Sequence, residues 1–301
     1  MAKPLGTACD IMTTILMQNG VFGLLVGGLY GLGAVGLSLV FGVLTMLNVA
    51  HGELIMLGGY VSVWLFVLWG VDPFLSGLVA GPLLFLVGAG LFWMLFRRLI
   101  AFREEMKIKN SILIGFGLAL VLQTLAITMW EADERAVTPA YAGEVLRLGS
   151  VVVPLSRLAA LLLAFLVLGG LHLFLTRTRR GTAIRATAED EHGAALVGIP
   201  IGRTFLTAFA LGSALAGVAG ALVSVSDAIS PAIGLHWTLK ALIVIVLGGM
   251  GNIFGTFLGG LFLGVTESMS GFLLGNAYRE VVGLAMFLLV LSVRPQGVFT
   301  R

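Results

Sequence analysis

The sequence predicts an all-α fold, a polytopic bundle of transmembrane helices, and three features of its 301 residues lead to that prediction. Hydrophobic residues make up 58% of the chain and charged residues 11%, whereas soluble domains contain about 45–50% and about 25%. Several apolar runs reach the length of about 20 residues that a bilayer crossing requires. The 42 glycines suit close helix packing in a membrane. Because one core cannot bury this much apolar surface, we expect much of it to face lipid.

The apolar runs predict about nine spans, with about eight to ten as the range. Uninterrupted runs lie at 20–45, 51–71, 74–96, 110–130, 157–176, 204–225 and 279–293. The stretch 237–274 is also apolar but is broken at 248–252, so it forms two spans, or one span and a re-entrant segment. Residues 8–45 form either one span or two short ones. We assign 1–301 to a single transmembrane domain.

Lysine and arginine are concentrated in a few short loops. Five of them lie within 97–109 and five within 177–203, and Arg294 and Arg301 lie near the end. The 131–156 loop instead has four acidic residues against two arginines. Because basic loops remain in the cytoplasm, we expect these loops and the C-terminus there and 131–156 outside. Nine spans would then place the N-terminus outside.

Asn48, His51 and Glu53 form a polar group in an otherwise apolar, glycine-rich region. An ionisable residue at the centre of a membrane helix costs about 2.5–3.5 kcal/mol on insertion scales. Non-helical backbone at that depth must be buried in protein or line a cavity. We therefore expect the three residues either to line the translocation path or to cap a broken helix near the cytoplasmic interface, and both alternatives stay open.

Glu267 is the second intramembrane carboxylate, and it ends a stripe of small residues spaced three or four apart. It is a candidate for lining the pore or for gating, with a satisfied interhelical hydrogen bond as the alternative. Three residues of the nearby break are further path candidates: Gly248, Gly249 and Asn252. Glycine-interrupted spans in both halves indicate an internal repeat, in which the break at 51–52 pairs with the break at 248–252. Lys240 is interpreted as extending to the membrane surface.

The polar segment 178–200 combines a basic patch, an acidic triplet and an apolar tail. Its composition predicts a helix over 183–197, which Gly198 and Pro200 end. We expect this helix to lie across the membrane surface and to dock against a soluble partner. The alternative is a solvated helix without a partner.

Several motifs are absent from the sequence. It contains no G-x-x-x-x-G-K-[ST] phosphate loop, no G-x-S-x-G and no H-E-x-x-H, and its one cysteine excludes an internal disulfide. We therefore expect no catalytic residue and no metal site in this chain, and no nucleic-acid partner. The energy for transport must come from a gradient or from another chain.

Four segments resemble the LivH-type permease family of branched-chain amino acid ABC importers. They read N-V-A-H-G-E-L-I-M-L-G-G-Y from Asn48, R-A-T-A-E-D-E-H-G-A-A-L-V-G-I from Arg185, K-A-L-I-V-I-V-L-G-G-M-G-N from Lys240 and R-P-Q-G-V-F from Arg294. They occur in the family's order along nearly the whole chain. The departures from the family pattern are conservative in size: Val49 replaces Phe, Asn252 replaces Ser, and Gly59 and Thr256 replace Ala.

The resemblance implies a single permease domain in the bacterial inner membrane, with its C-terminus in the cytoplasm. It implies three kinds of partner: a second, LivM-type permease, two P-loop ATPases that bind ATP and Mg, and an external solute-binding protein. The cargo would be a branched-chain or other hydrophobic amino acid, with another amino acid, an amide or urea as alternatives. The loop 177–203 would contain the coupling helix, with these contact residues: Arg185, Ala188, Glu189, Asp190, Ala195, Leu196 and Gly198.

A second class of function remains open from the residues alone. A gradient-driven carrier or channel would use Glu53 and Glu267 as proton or ion sites.

Overall fold

Helices account for most of the chain in the computed structural model, which describes residues 8–294 and 297–299. The helices are α1 (Ala8–Leu44), α2 (His51–Trp69), α3 (Pro73–Leu91), α4 (Glu104–Trp130), α5 (Leu155–Arg177), α6 (Arg179–Glu189), α7 (Glu191–Leu196), α8 (Ile201–Ser226), α9 (Ile233–Gly248), α10 (Ile253–Leu274) and α11 (Arg279–Val293). Pro295, Gln296 and Arg301, which belong to the terminal motif and the basic C-terminus, lie outside the described residues.

Eight helical segments of the described chain are long and apolar enough to cross a membrane, and α9 is a shorter apolar helix beside them. This confirms the predicted helical membrane bundle. The alternative of two short spans within 8–45 is wrong, because α1 is one continuous helix of 37 residues. The stretch 237–274 divides into two helices, α9 and α10. A π-helical turn and a 3₁₀ turn extend α3 to Ala101.

The loop between α4 and α5 contains the two strands of a short hairpin, β1 (Val145–Leu148) and β2 (Val151–Pro154). They are antiparallel, with Leu148 paired to Val151. The same loop forms an isolated antiparallel bridge between Arg135 and Ile229, which lies between α8 and α9. This bridge joins the acidic loop to the α8–α9 turn.

The loops that connect the helices lie at two ends of the bundle, and the loops of the two ends differ in charge. We call the end with loops 97–103 and 177–203 the basic end, and the end with loops 131–154 and 227–232 the acidic end. At the basic end, Lys107 of α4 bonds to Glu191 of α7 over 2.7 Å. At the acidic end, the Gln18 side chain of α1 bonds both backbone groups of Val152. The N-terminal part of α1 therefore lies at the acidic end.

The two halves of the bundle repeat one arrangement with inverted direction. α1 packs along α10 and against α9, and α8 packs in the same way along α3 and against α2. The repeat therefore relates α1–α4 to α8–α11. The break that corresponds to residues 45–50 is the α8–α9 turn at 227–232, so the predicted pairing with 248–252 is wrong. Glycine spacing alone does not distinguish the two breaks, because both follow glycine-rich helices.

Glycines allow the long helices to approach closely. A Cβ at Gly23 would lie 2.7 Å from the Gly264 carbonyl oxygen, and a Cβ at Gly27 would lie 2.7 Å from that of Gly260. α1 and α10 are therefore in backbone contact along the stripe that ends in Glu267. Such contact gains van der Waals packing where lipid offers no hydrophobic driving force between helices.

Two helices begin inside the bundle. The first residue of α2, His51, packs beside Gly33 and Gly36, which lie well before the end of α1 at Leu44. The α8–α9 turn places Ile229, 1% exposed, against Gly59 at the middle of α2. The predicted break before α2 is therefore present, whereas the second break, before α9, was not predicted; the first turns of α2 and α9 face each other at Gly52 and Gly234.

Candidate functional site

The start of α2 is held by backbone groups of its neighbours. His51 is fully buried, and its Nε2 lies 2.8 Å from the Gly33 carbonyl oxygen of α1. The Asn48 side chain accepts a hydrogen bond of 3.1 Å from the Ala50 N–H. Ala50 is the N-cap residue of α2 and makes no side-chain cap bond. His51 therefore joins two helices and does not cap its own.

Thr238 connects the start of α2 to the start of α9. We call this region, which consists of residues 48–53, 234 and 238, the junction. The Thr238 hydroxyl accepts a 2.9 Å hydrogen bond from the Gly52 N–H and donates one of 2.9 Å to the Val49 carbonyl oxygen. A Cβ at Gly52 would overlap the Gly234 carbonyl oxygen. Gly52 thus permits a backbone contact that any side chain would prevent.

Glu53 lies in the same junction but is bonded differently. It is 2% exposed, and its carboxylate packs against Gly234. Among the described residues, its Oε2 has no hydrogen-bond partner, and neither has Nδ1 of His51. The salt bridges of the described chain do not include Glu53. A buried carboxylate without a cation is costly, which keeps Glu53 a candidate for the translocation path.

Glu267 has partners on three other helices. It is fully buried and forms an ion pair with Lys240 of α9. Its second oxygen accepts a 3.1 Å hydrogen bond from the Tyr30 hydroxyl of α1 and lies 3.6 Å from Nε of Arg279 in α11. These contacts fit the satisfied interhelical bond that the sequence left as one alternative.

The predicted position of Lys240 at the membrane surface is wrong. Lys240 is 5% exposed, and its ammonium turns inward to Glu267 and over the Tyr30 ring. A buried ammonium is retained when a carboxylate pairs with it. One feature of the sequence indicated a buried role for Lys240: it is the sole lysine or arginine between Arg203 and Arg279. Sequence reasoning also missed Tyr30 and Thr238, ordinary residues whose roles depend on distant helices.

A cleft of about 300 Å³ adjoins the Glu267 cluster near the acidic end. Arg157 and Arg279 contribute positive charge to its lining, and Asp227 and Glu280 contribute negative charge. The guanidinium of Arg157 lies 4.3 Å from the centre of the Phe22 ring. The cleft thus presents both signs of charge beside aromatic surface.

The residues of the 248–252 break lie elsewhere, in the α9–α10 turn. Gly249 has a positive φ of 93°. Asn252 caps α10 by accepting a 3.0 Å bond from the Gly255 N–H. The Val298 N–H of the C-terminal segment donates to the Leu247 carbonyl oxygen over 2.9 Å. The structure does not bring Gly248, Gly249 and Asn252 together with the junction.

The candidate coupling segment consists of two helices, α6 and α7. The single helix predicted over 183–197 is wrong, because the chain is extended at Asp190, with φ of −152°. The Asp190 carboxylate accepts a 3.0 Å bond from the His192 N–H and so caps α7. The predicted stop is confirmed, since α7 ends at Leu196 and Gly198 has a φ of 86°.

The residues predicted for the coupling contact share one property, which is exposure. The exposed set is Arg185, Ala188, Glu189, Asp190, Ala195, Leu196 and Gly198. The residues that face the bundle are Gly181, Ile184, Thr187 and Ala194. Leu196 and Val197 are 89% and 77% exposed, so the tail of the segment presents apolar side chains to its surroundings.

Besides its buried face, two polar contacts connect the coupling segment to α4 and α5. Lys107 of α4 is 3% exposed and forms the 2.7 Å ion pair with Glu191. Nε of Arg185 donates a 3.0 Å hydrogen bond to the Leu175 carbonyl oxygen at the end of α5. A force on this segment would therefore reach α4 and α5 directly.

The family model for the permease component of the branched-chain amino acid transport system matches residues 19–291. The permease protein BraD of Pseudomonas aeruginosa is 33% identical over 295 residues, which cover 95% of this chain and 96% of BraD. LivH of Escherichia coli is 33% identical over 297 residues, with the same two coverages. LivM of Escherichia coli is 34% identical over 151 residues, 48% of this chain and 35% of LivM. Both full-length relatives are described as high-affinity branched-chain amino acid permease proteins.

Proposed function

The chain belongs to the family of permease components of branched-chain amino acid ABC transport systems, and from that premise we propose how it works. It is a multi-pass membrane protein and a transport subunit. We propose that it forms a heterodimer with a LivM-type permease and that two P-loop ATPases bind ATP and Mg on its cytoplasmic side. An external solute-binding protein would deliver the cargo. The C-terminus and the basic end would lie in the cytoplasm.

The observation that carries the coupling proposal is the exposed face of α6 and α7. The seven residues named for the ATPase contact are all exposed. The opposite face of α6 and of α7 is buried in the bundle. Glu189 and Asp190 supply negative charge, and Leu196 supplies an apolar anchor. Val197 beside it is exposed as well, and adjacent exposed apolar side chains with polar neighbours are a feature of interaction surfaces. ATP-driven closure of the ATPases would then move α4 and α5 through Lys107 and Arg185.

The cleft at the acidic end supports an amino acid as cargo. An amino acid has a carboxylate and an ammonium side by side, and the cleft offers Arg157 and Arg279 for the first and Asp227 for the second. The rings of Phe22 and Trp237 would receive an apolar side chain. We propose that Glu267 closes the inner end of this cleft and that Asn48, His51 and Glu53 lie on the path beyond it.

The gradient-driven carrier is the weaker alternative. It required Glu53 and Glu267 as ion sites, whereas Glu267 is paired with Lys240. Family membership also favours an ATP-driven system.

Reconstitution tests the proposal. The chain, expressed with its neighbouring permease and ATPases, is placed in proteoliposomes with the binding protein. We expect uptake of labelled leucine, isoleucine or valine that requires internal ATP and persists when ion gradients are collapsed. Uptake driven by a proton or sodium gradient without ATP would contradict the proposal. A panel with other amino acids, an amide and urea tests the cargo separately.

A further inference from the structure

A groove at the basic end combines arginines with an apolar wall. It has a volume of about 830 Å³ and lies between α3, α6 and the start of α8. Four arginines line it: Arg97, Arg179, Arg180 and Arg203. Among the described residues, the side chains of these arginines have no carboxylate partner. The groove lining contains no Asp or Glu.

The apolar part of the lining belongs to the membrane-facing side of the same helices. Phe85 and Trp93 of the extended α3 and Leu206 of α8 form this wall, and Trp93 is 62% exposed. The N-terminus of α8 also opens into the groove at Ile201 and Gly202. Backbone N–H groups and the dipole at a helix N-terminus favour an anion there.

A second groove continues the first along the same two helices. It has a volume of about 570 Å³, and its lining is entirely apolar. Leu78, Pro82 and Phe85 come from α3, and Ala214 and Val218 come from α8. Phe85 belongs to both linings. From Arg203 to Val218 the helix rises about 22 Å, which exceeds the roughly 15 Å of one hydrocarbon leaflet.

We propose that these two grooves form one site for an anionic phospholipid. The phosphate headgroup binds to the four arginines and the start of α8, and one acyl chain lies in the apolar groove between α3 and α8. Basic pockets between membrane helices suit anionic headgroups. The arginine cluster indicates that the ligand carries negative charge, and the apolar second groove indicates that it has an acyl chain. A free phosphate would therefore fill only one end of the site. Because Arg179 and Arg180 begin α6, the lipid also positions the coupling segment.

The test compares the full chain with two kinds of variant in lipid nanodiscs. The first variant, Arg179→Gln with Arg203→Gln, removes two charges from the headgroup end. The second, Ala214→Phe, fills the apolar groove and leaves the charge unchanged. The matched control is Arg98→Gln with Arg177→Gln, which removes two exposed arginines of the same end that do not line the groove.

Bound lipid is measured by native mass spectrometry after exchange into nanodiscs of phosphatidylglycerol and phosphatidylcholine. We expect the wild-type chain and the control pair to retain phosphatidylglycerol selectively. The Arg179/Arg203 pair should lose affinity by about 30-fold, as removal of two charges implies, and Ala214→Phe by about 10-fold for loss of the buried acyl contacts. Size-exclusion profiles and thermal unfolding confirm that each variant is folded.

Four outcomes would overturn the proposal. Equal loss in the control pair would mean attraction to the basic end as a whole. Unchanged retention in both groove variants would exclude the site. If Ala214→Phe retains the lipid while the arginine pair loses it, the occupant is a phosphate group without an ordered chain, which contradicts a phospholipid site. Displacement of the lipid by millimolar inorganic phosphate alone would contradict it equally.

Discussion

The junction and the coupling segment both contain polar residues, but different surroundings hold those residues in place. In the junction, His51 and Thr238 bond to backbone groups of other helices and are buried. In the coupling segment, Glu189 and Leu196 point away from the bundle. Burial makes a polar residue part of the fold, whereas exposure leaves it free to contact a partner. Substitutions in the junction and its neighbouring Glu267 cluster should therefore change stability first, and substitutions of Glu189 or Leu196 in the coupling segment should change transport alone.

The largest effect on stability is expected for Lys240→Met. The substitution leaves Glu267 buried without its ammonium partner, and breaking a buried pair costs about 3–5 kcal/mol. We expect a lower midpoint of thermal unfolding in detergent and less protein in the membrane. The control is Lys109→Met, which removes an exposed lysine.

A double substitution makes this test specific. Lys240→Met with Glu267→Met replaces the pair by apolar side chains, and we expect it to recover most of the lost stability. A single variant as stable as the wild-type chain would show that the ion pair does not hold α9 to α10.

Gly52→Ala is expected to have the next largest effect, about 3 kcal/mol, because the added methyl group overlaps backbone of α9. Thermal unfolding of the purified chain measures the loss. Gly117→Ala in α4 is the matched control, since a Cβ there meets no atom within 4 Å. Equal unfolding midpoints for the two variants would contradict the close contact between α2 and α9.

Thr238→Val should destabilise the chain by about 1–2 kcal/mol, because the Gly52 N–H and the Val49 carbonyl oxygen both lose their partner. Thr128→Val serves for comparison, since the Thr128 hydroxyl bonds only within its own helix. If both variants unfold at one temperature, the hydroxyl of Thr238 does not join the two helix starts.

The helices were predictable from the sequence because apolar length and charge bias are local properties. The junction was predictable only in part. His51 and Glu53 are conspicuous in an apolar run, but their contacts with Gly33 and Gly234 depend on which helices pack together. Nothing near Thr238 in the sequence marks it as the residue that bonds to α2.

In the coupling segment, the sequence identified the exposed residues but missed a break between two helices. Its seven contact residues were named from the family resemblance, and all of them are exposed, while the ATPase contact itself stays a prediction. The break at Asp190 was not predicted, because this residue also fits a helix interior next to Glu189 and Glu191. Its carboxylate instead caps α7, and capping competes with helix continuation for aspartate.

The smallest effect on stability is expected for Glu189→Lys, which reverses an exposed charge and should change the free energy of unfolding by less than about 0.5 kcal/mol. If the reversed charge weakens the binding free energy of the ATPase contact by about 1.4 kcal/mol, the contact becomes about 10-fold weaker. We therefore expect ATP-dependent uptake to fall at least about 10-fold. Glu105→Lys gives the same reversal at an exposed position of α4. Equal uptake by both variants would place the ATPase contact elsewhere.

A triple change of Arg185, Glu189 and Asp190 would be harder to interpret. Arg185 bonds to the end of α5, and Asp190 caps α7. Loss of uptake in that variant could follow from a displaced segment, which is why Glu189 alone is the sharper test.

Site-directed photo-crosslinking tests most directly whether α6 and α7 bind the ATPases. A photo-reactive amino acid replaces Leu196 in the native membrane, and the same residue replaces Leu148 in the hairpin at the acidic end, where Leu148 is 61% exposed. We predict that the chain labelled at position 196 forms an adduct with a P-loop ATPase and that the chain labelled at position 148 does not. An ATPase adduct from position 148, or none from position 196 in a membrane that transports the cargo, would contradict the docking role of the coupling segment.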